Sequence, residues 1–476
     1  MSFNLRKTAV AMAGVFLISA GTNALADSTV DIVNALVAKG VLTEEEGELL
    51  TKGRANEVDT QKNKEKKHWT SKVNVRGYVQ VRNTSMLGGD EGVNLWSDRS
   101  VGDDRSLNDQ DKNFLIRRAR VILFGDIGER LSYYIQPDFA SSVGGTSNSN
   151  SSGAGNFAQL RDAYGDVYIT KDRVHRIRVG QSKVPYGFEN LQSSSNRLAL
   201  DRADAMNSAV RDERDLGAFY YYTPESTQAL FEEINKAGLK HTGNYGQIGV
   251  GVYNGQGANA RDRNDNLHVV ARATYPWKTD SGQIYEVGVQ GYHGNYVSTT
   301  GSYRRQTAPG TFVSAAPTVD ATERRNGLTD ERVGVSLMMY PQPFGLQAEW
   351  NWGTTPGLDT ATNTIKEQNL QGGYVQAMYK IDNVKVFDNT TTLIPFVKWQ
   401  YFDGFSKAET NSPENHVNDW EIGAEWQIAP EVELTAYYHK MKRSNLVTGA
   451  SATTIAQTDY ETFDAEALRV QLQYNF

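Results

Sequence analysis

Strict alternation of apolar and polar residues recurs along most of the chain and constrains its fold more than any other feature. Residues 72–82 read K-V-N-V-R-G-Y-V-Q-V-R, with valine or glycine at every odd position and a polar residue at every even position. A period of two belongs to a β-strand, because successive side chains of a strand point to opposite faces. The segment therefore predicts a strand with one apolar and one polar face.

The same pattern predicts sixteen strands in all. They lie near residues 72–82, 112–126, 131–139, 162–169, 173–183, 214–223, 245–254, 266–276, 282–294, 330–341, 344–352, 370–381, 391–403, 417–428, 431–442 and 467–476. Residues 227–239 are excluded, because Leu230, Phe231 and Ile234 have helical spacing and predict a short helix inserted in a turn. An even number of strands is typical of a single-chain bacterial barrel with both termini on one side.

The connections between these strands alternate between short and long. Tight turns are predicted at residues 128–129, 171–172, 342–343 and 429–430, and long loops at 83–111, 140–160, 184–213, 295–329 and 443–466. Short turns on one side and long loops on the other are typical of outer-membrane barrels. In such a barrel the apolar faces meet lipid and the polar faces line an aqueous lumen. In a soluble sandwich they would point the other way, but Tyr and Trp cluster near strand ends, as at membrane interfaces.

The N-terminus carries the pattern of an export signal. Arg6 and Lys7 precede an apolar run at residues 9–20, and Ala24-Leu25-Ala26 is a small-residue cleavage pattern. We predict a signal peptide over residues 1–26.

A periplasmic segment is predicted over residues 27–68, ahead of a barrel over residues 69–476. Residues 28–53 predict two short helices, the second opened by the capping-box pair Thr43 and Glu46. Residues 54–67 are strongly polar and predict a linker.

Composition excludes several classes of chemistry. The chain of 476 residues has no cysteine, so disulfides, thiolate nucleophiles and cysteine-ligated metals are impossible. None of the seven histidines lies in an H-E-x-x-H pattern, and neither a G-x-S-x-G nor a P-loop sequence occurs. Residues 98–111 are acidic but lack the EF-hand spacing. The sequence therefore predicts no enzyme, no cofactor, no metal site and no nucleic-acid partner.

Several segments resemble the phosphate-selective porin O and P family. They are N-F-L-I-R-R-A-R-V-I-L-F-G-D-I (113–127), L-S-Y-Y-I-Q-P-D-F-A (131–140), L-R-D-A-Y-G-D-V-Y-I (160–169), R-I-R-V-G-Q-S-K-V-P-Y-G-F-E (176–189), R-D-L-G (214–217) and V-Y-N-G-Q-G (252–257). The resemblance covers nearly the whole chain after the leader. It implies a sixteen-stranded porin of the Gram-negative outer membrane, usually a homotrimer, with one loop folded into the pore. Some members carry an arginine ladder that passes phosphate or pyrophosphate.

The charged residues of the predicted lumen suggest which solutes pass. The candidate pore-lining and anion-binding residues are Arg76, Arg82, Arg118, Arg120, Arg176, Arg178, Lys183, Arg272, Lys398 and Arg469. Arginine suits an anion ladder, because its charge is permanent and its planar fork matches phosphate oxygens. By strict alternation Arg117 would point to the lipid-facing side, unlike Arg118 and Arg120. The strand register near residues 116–120 is therefore left open.

Carboxylates on the same predicted faces support a second interpretation. They are Asp138, Asp162, Asp166, Glu286, Glu349, Glu421, Glu425, Glu431 and Glu433. If they neutralise the bases pairwise, the protein is a general or carbohydrate-passing porin, in which Tyr78, Tyr134, Tyr164 and Tyr168 could stack on sugars. A barrel enzyme or an adhesin is the remaining alternative, and it predicts a closed lumen or a catalytic cluster.

The loop at residues 184–213 is predicted to constrict the pore. Its bases Arg197, Arg202 and Arg211 accompany the acids Glu189, Asp201, Asp204 and Asp212. A dedicated phosphate pore would be expected to carry an excess of base here. The sequence therefore predicts a porin that prefers anions, with phosphate selectivity as a narrower hypothesis.

Overall fold

The computed structural model describes most of the predicted barrel and isolated parts of the chain before it. The described residues are 33, 36–37, 39, 42–49, 51–52, 73–90, 93, 95, 112–140, 158–308, 311–386, 389–446 and 460–476. The chain divides into two compact units, Met1–Val73 and Asn74–Phe476. The predicted signal peptide and the polar linker at 54–67 lie outside the described residues.

The first unit contains the predicted capping box. Residues 44–49 are helical. The backbone N–H of Thr43 donates to Glu46 Oε2 (2.9 Å), and the N–H of Glu46 donates to Thr43 Oγ1 (3.2 Å). These reciprocal bonds satisfy two backbone donors that a helix start otherwise leaves unpaired. The prediction of a helix opened by Thr43 and Glu46 is confirmed.

The second unit is a closed antiparallel β-barrel of sixteen strands. The strands of the unit are β1 (Asn74–Gly89), β2 (Lys112–Ile127), β3 (Leu131–Asp138), β4 (Gln159–Tyr168), β5 (His175–Lys183), β6 (Arg214–Tyr222), β7 (Ile248–Tyr253), β8 (His268–Lys278), β9 (Ile284–Tyr296), β10 (Tyr303–Ala308), β11 (Thr311–Ala315), β12 (Leu328–Met339), β13 (Phe344–Asp359), β14 (Thr364–Tyr379), β15 (Ile381–Val386), β16 (Asn389–Phe405), β17 (Glu414–Ala429), β18 (Val432–Leu446) and β19 (Tyr460–Asn475). β10 and β11 form a separate hairpin, and β15 pairs with the end of β16. The other sixteen form the wall.

The wall closes where the last strand meets the first. β19 pairs with β1 from Tyr78 opposite Asn475 to Gly89 opposite Ala465. Gly77 and Phe476 exchange two backbone hydrogen bonds, of 2.7 and 3.0 Å. A Cβ at Gly77 would lie 2.4 Å from the Phe476 ring, so only glycine admits the ring here. The terminal aromatic residue thus lies directly on the barrel seam.

Strand positions follow the alternation closely, but several strands are longer than predicted. β13 and β14 pair from Phe344 opposite Tyr379 to Asp359 opposite Thr364, so residues 353–369 extend a hairpin instead of forming a loop. The predicted loop at 295–329 contains the β10–β11 hairpin and a short helix. Polar residues and glycines occupy these extensions on both faces, so the alternation of apolar and polar residues is not visible there.

The helices of this unit are few and mostly short. They are α1 (Phe188–Leu191), α2 (Asp204–Asn207), the 3₁₀ helix Arg211–Glu213, α3 (Glu225–Lys236) and α4 (Ala321–Asn326). α3 confirms the helix predicted between the sixth and seventh strands. Within the described residues, none of the helices has both the length and the apolarity that crossing a bilayer requires.

Arg117 owes its unexpected parity to a β-bulge. Gln80 of β1 pairs with Arg118, whereas its neighbour Val81 pairs with Ile116, so Arg117 is an extra residue in β2. The bulge keeps Ile116 exposed on the outer face and leaves Arg118 and Arg120 buried inside. The open register at 116–120 is thereby resolved.

The lumen wall is not polar throughout, contrary to the expectation from alternation. At the tight-turn end, the inward residues Ile284, Met338, Met378, Ile394 and Phe396 are buried in one apolar cluster. Phe231, Ile234 and Leu239 from α3 and its tail join this cluster, together with Phe188 and Leu198–Leu200. The strands carrying these residues are apolar on both faces here, which explains runs such as L-I-P-F-V at 393–397.

Truncation of this cluster tests the assignment of faces. Phe396 is 3% exposed inside the barrel, whereas its neighbour Val397 is 38% exposed on the outer face. We expect Phe396→Ala to lower the free energy of unfolding by about 3–5 kcal/mol, because it opens a cavity in a packed cluster. Urea unfolding in detergent micelles, followed by tryptophan fluorescence, measures the change. The control Val397→Ala should have a much smaller effect; equal losses would contradict the assignment.

Candidate functional site

The inward loop, residues 184–213, connects β5 to β6 and lies inside the barrel. Most of its residues are buried. Its contacts reach wall strands on all sides: Gln80 of β1 donates to Ser194 O (2.9 Å), Asn351 of β13 to Ala205 O (2.8 Å), and Gln473 of β19 to Ser195 O (3.2 Å). The loop therefore lies within the lumen, where the sequence predicts a constriction.

Carboxylates of the inward loop pair with bases of the wall. Asp201 lies 3.2 Å from Arg82 Nη1 and 2.6 Å from Arg469 Nη2. Glu189 Oε1 accepts from Lys398 Nζ at 2.5 Å. Asp204 Oδ2 lies 2.7 Å from Arg443 Nη1, and Arg443 also pairs with Asp419. These bases, three of them predicted anion-binding residues, anchor the loop.

One wall carboxylate holds the start of the loop through backbone bonds. Glu349 Oε1 accepts from the N–H of Phe188 (2.5 Å), and Oε2 accepts from the N–H of Glu189 (2.7 Å). Tyr374 also donates its hydroxyl to Oε2 (2.9 Å). Glu349 thus holds the first turn of α1 in place.

Further predicted bases are paired within the wall. Arg120 Nε donates to Asp138 (2.7 Å), and Arg272 Nη2 donates to Glu286 (3.0 Å). Arg178 grips both oxygens of Asp166 at 2.8 and 2.9 Å, and Arg176 lies 3.5 Å from the same carboxylate. Such pairs greatly reduce the charge that a passing ion meets.

Lys183 is satisfied by the loop backbone. Its Nζ donates to the carbonyls of Leu191 (2.9 Å) and Gln192 (2.6 Å). Arg332 of β12 does the same on the other side, donating to the carbonyls of Ala205 (2.8 Å) and Ser208 (3.1 Å). Both bases keep a net positive charge, since carbonyl oxygens accept without neutralising it.

Two predicted residues, Arg118 and Arg197, form what we call the arginine pair. Arg118 Nη1 donates to Gln80 Oε1 (2.8 Å), and Arg197 Nη2 donates to Leu200 O (3.1 Å). Over the ranges that the structure describes, the buried Nε of Arg118 and the buried Nε and Nη1 of Arg197 have no hydrogen-bond partner. The two side chains are 5% and 7% exposed, and close enough for their charges to interact. In the described part of the chain, they are buried bases with no carboxylate partner.

The remaining predicted bases lie elsewhere. Arg202 stays within the loop, where it pairs with Glu213 and donates to Glu189 O (3.1 Å). Arg211 is exposed on the 3₁₀ helix. Arg76 lies near the tight-turn end with its guanidinium 5.1 Å from the Phe124 ring centre.

A cavity of about 1190 Å³ lies between the inward loop and the tight-turn end, and we call it the vestibule. Its charged lining residues are Arg76, Asp126, Asp162, Asp166, Arg173, Arg176, Arg178, Lys183, Arg214, Lys240 and Glu433. Bases outnumber acids in this set. His241 also lines the vestibule, but burial lowers its pKa to about 4, so it adds no charge at neutral pH.

The vestibule tyrosines have covered faces. Tyr134 and Tyr164 stack on each other, with ring centres 5.2 Å apart and planes 9° apart. The Arg178 guanidinium lies 3.7 Å from the Tyr164 ring centre, and that of Arg173 lies 4.5 Å from Tyr168. Cation–π contacts of this kind stabilise the arginines and occupy the rings.

Sequence reasoning missed several partners of the site. Lys407 pairs with Asp330 and donates to Ala209 O (2.7 Å), and Lys240 pairs with Glu425 (2.7 Å). Both lysines lie in connections between strands, where alternation assigns no face. Among the residues that the structure describes, no group of acidic or histidine side chains is arranged to hold a metal ion; the acidic stretch at 98–111 lies outside them.

Comparison with known proteins now identifies the family. The family model described as phosphate-selective porin O and P matches residues 91–476. The chain belongs to this family. It is an outer-membrane porin of a Gram-negative bacterium. No curated protein matches the porin.

Solved structures of other outer-membrane proteins are similar to the porin at low identity. OmpT of Vibrio cholerae in its trimer form shares 11% identity with a TM-score of 0.46, over 85% of this chain and 99% of that chain. The channel DcaP of Acinetobacter baumannii shares 14% (TM-score 0.46, 85% and 97%). The anion-selective porin from Comamonas acidovorans shares 12% (TM-score 0.44, 85% and 99%).

Removing a loop carboxylate tests how far pairing masks the wall bases. We expect Asp201→Asn to raise the preference of the porin for anions, because Arg82 and Arg469 lose their shared counter-charge. The zero-current potential of the protein in a planar bilayer, under a KCl gradient, measures the preference. The control is Glu129→Gln, which removes an exposed carboxylate paired with Lys171 in a tight turn. An unchanged potential in Asp201→Asn would show that this pair does not face the ion path.

Proposed function

We propose that the porin conducts small solutes with a preference for anions, and that the arginine pair provides its main anion-binding position. The unpaired N–H groups of Arg118 and Arg197 carry this proposal. A buried donor without a partner is unfavourable by about 1–3 kcal/mol, and an arriving anion recovers that energy. Neighbouring arginine charges in a confined site of low dielectric also favour a negative ion over a positive one.

The wider charge balance supports the same preference. Among the described residues, buried lysines and arginines outnumber buried aspartates and glutamates. The numerical excess is small, and most of the bases are paired with carboxylates. We therefore propose a moderate preference for anions in general, with phosphate as one of the anions that pass.

A phosphate ion fits the arginine pair chemically. Its several oxygens are acceptors that suit guanidinium donors such as those of Arg118 and Arg197. A continuous ladder of free arginines is not supported, since Arg82, Arg120, Arg178 and Arg272 are paired with carboxylates. Phosphate is therefore expected to bind at one position instead of moving along a row.

Carbohydrate transport is less well supported. Sugar recognition by stacking needs an aromatic face open to the lumen. Tyr134 covers one face of Tyr164, Arg178 also lies over that ring, and Arg173 lies over Tyr168. These tyrosines therefore support the bases instead of presenting a platform to sugars.

We also propose a homotrimer, with subunits meeting at the short-strand wall formed by β3–β7. These strands have 6 to 10 residues, whereas β12–β14 and β16–β19 have 12 to 17. At ~3.3 Å per residue and a tilt of about 45°, six residues span roughly 14 Å of an apolar layer ~30 Å thick. The outward residues Val167, Val179 and Leu216 are nevertheless exposed and apolar. We propose that contact with other copies covers these residues.

The arginine pair can be tested by its removal. We expect Arg118→Ala and Arg197→Ala each to reduce the anion preference and to weaken the block of chloride current by added phosphate, because each removes unpaired donors. Zero-current potentials and conductance in planar bilayers measure both effects. Arg130→Ala is the matched control, because Arg130 is an exposed arginine in a tight turn. Unchanged permeability and phosphate block in both variants would refute the proposed site.

The short-strand wall can be tested with single cysteines in this cysteine-free chain. We expect a fluorophore on Val179→Cys to be shielded from brominated lipids in the oligomer and quenched after heating dissociates it. A fluorophore on Val335→Cys, on the outer face of the long β12, should be quenched in both states. Equal quenching at the two positions in the oligomer would rule out the proposed interface.

A further inference from the structure

The connection between β6 and β7, residues 223–247, differs from the other connections at the tight-turn end. The neighbouring turns occupy only residues 128–130, 279–283 and 340–343. This one contains the whole of α3 and a tail that runs along the vestibule. We call it the mouth segment. A connection of this length is unnecessary for joining two antiparallel strands.

The first half of the mouth segment fills one side of the barrel mouth with apolar side chains. Phe231 and Ile234 of α3 are buried in the cluster that contains Ile284 of β9, Met338 of β12 and Phe396 of β16. Close-packed apolar side chains exclude water and ions. The part of the mouth that these clustered side chains occupy is therefore closed to water and ions.

The second half of the mouth segment borders the open side. Leu239–Tyr245 line the vestibule, and the segment is tied to the inward loop by two hydrogen bonds. Gln192 Nε2 donates to Lys240 O (3.3 Å), and Asn196 Nδ2 donates to His241 O (2.9 Å). The tail thus occupies a fixed position between the loop and the mouth.

Lys240 neutralises two carboxylates on the wall opposite the vestibule arginines. Its Nζ lies 2.7 Å from Glu425 Oε1 and 3.2 Å from Glu433 Oε2. The Lys240 side chain is 4% exposed, and that of Glu425 is 1% exposed. Without Lys240, two carboxylates would carry uncompensated negative charge beside the ion path.

We propose that the mouth segment is a selectivity element at the tight-turn end. It closes the part of the mouth that the apolar cluster occupies, so that solute passes through the vestibule, which is lined by β1–β6 and by the starts of β16 and β18. Through Lys240 it also masks Glu425 and Glu433, so that this exit presents a basic surface. The routing does not depend on which ions the porin prefers, whereas the masking rests on the proposed anion preference.

Cysteine accessibility tests the routing. Ser195 lines the vestibule, whereas Ser336 faces inward on β12, two residues before the clustered Met338. A charged methanethiosulfonate reagent added on the tight-turn side should react with Ser195→Cys at least about ten-fold faster than with Ser336→Cys, as measured by loss of current, because packed apolar side chains exclude a charged reagent. Adding Phe231→Ala should speed the reaction at Ser336→Cys. Equal rates at both cysteines would overturn the routing.

The masking is tested by Lys240→Met. We expect the anion-to-cation permeability ratio to fall by about two-fold or more, because two carboxylates regain their charge beside the path. Adding Glu425→Gln and Glu433→Gln to this variant should restore the ratio, which a merely misfolded segment would not permit. Lys236→Met is the control, because Lys236 pairs with Glu232 on the exposed face of α3.

The outcomes separate the two proposals. A wild-type protein without anion preference would refute the proposed function, while the cysteine rates would still decide the routing. An anion-preferring wild type whose ratio is unaffected by Lys240→Met would overturn the masking. Failure of the two glutamine substitutions to restore the ratio would overturn it as well.

Discussion

The exclusion of charge from the lipid-facing surface governs the interior of this barrel. Because the outer surface must be apolar at membrane depth, the lysines, arginines, aspartates and glutamates of the wall are directed into one narrow lumen. The inward loop adds its own carboxylates to the same volume. Desolvating a single charge costs several kcal/mol, so such groups are stable only when they meet a partner. The pairing of Asp201 with Arg82 and Arg469 follows from this confinement.

Confinement also bears on the proposed anion preference, because most of the buried bases of the lumen are paired with carboxylates. An arginine that is paired with a carboxylate holds neighbouring strands or the inward loop in place. It contributes little to the electric field that a passing ion meets. In the proposed mechanism, selectivity depends on the few bases whose partners are neutral, such as the arginine pair, and on masking groups such as Lys240. Conduction requires binding that is weak enough for release. A small uncompensated charge in a mostly neutral lumen meets that requirement.

The strands and α3 were predictable because their patterns are local. Alternation and helical spacing depend on residues a few positions apart, and so does the capping box of Thr43 and Glu46. The partners of the bases were not predictable, since Arg82 meets Gln471 at a separation of 389 residues and Lys398 meets Glu189 at a separation of 209 residues. The sequence indicated that the loop charges were nearly balanced, but not which wall residues oppose them. Strict alternation of apolar and polar faces does not predict the bulge at Arg117. It does not predict inward-facing apolar residues such as Met338 either.

The anchoring of the inward loop has a consequence for the evolution of such pores. Glu189, Asp201 and Asp204 each depend on a base from a strand near one end of the barrel sequence, namely Lys398, Arg82 with Arg469, and Arg443. The loop is therefore not an exchangeable module. Transplanted into another barrel, it would bring buried carboxylates without counter-charges, so loop and wall must change together. Divergence within such a family should proceed through matched exchanges between distant positions.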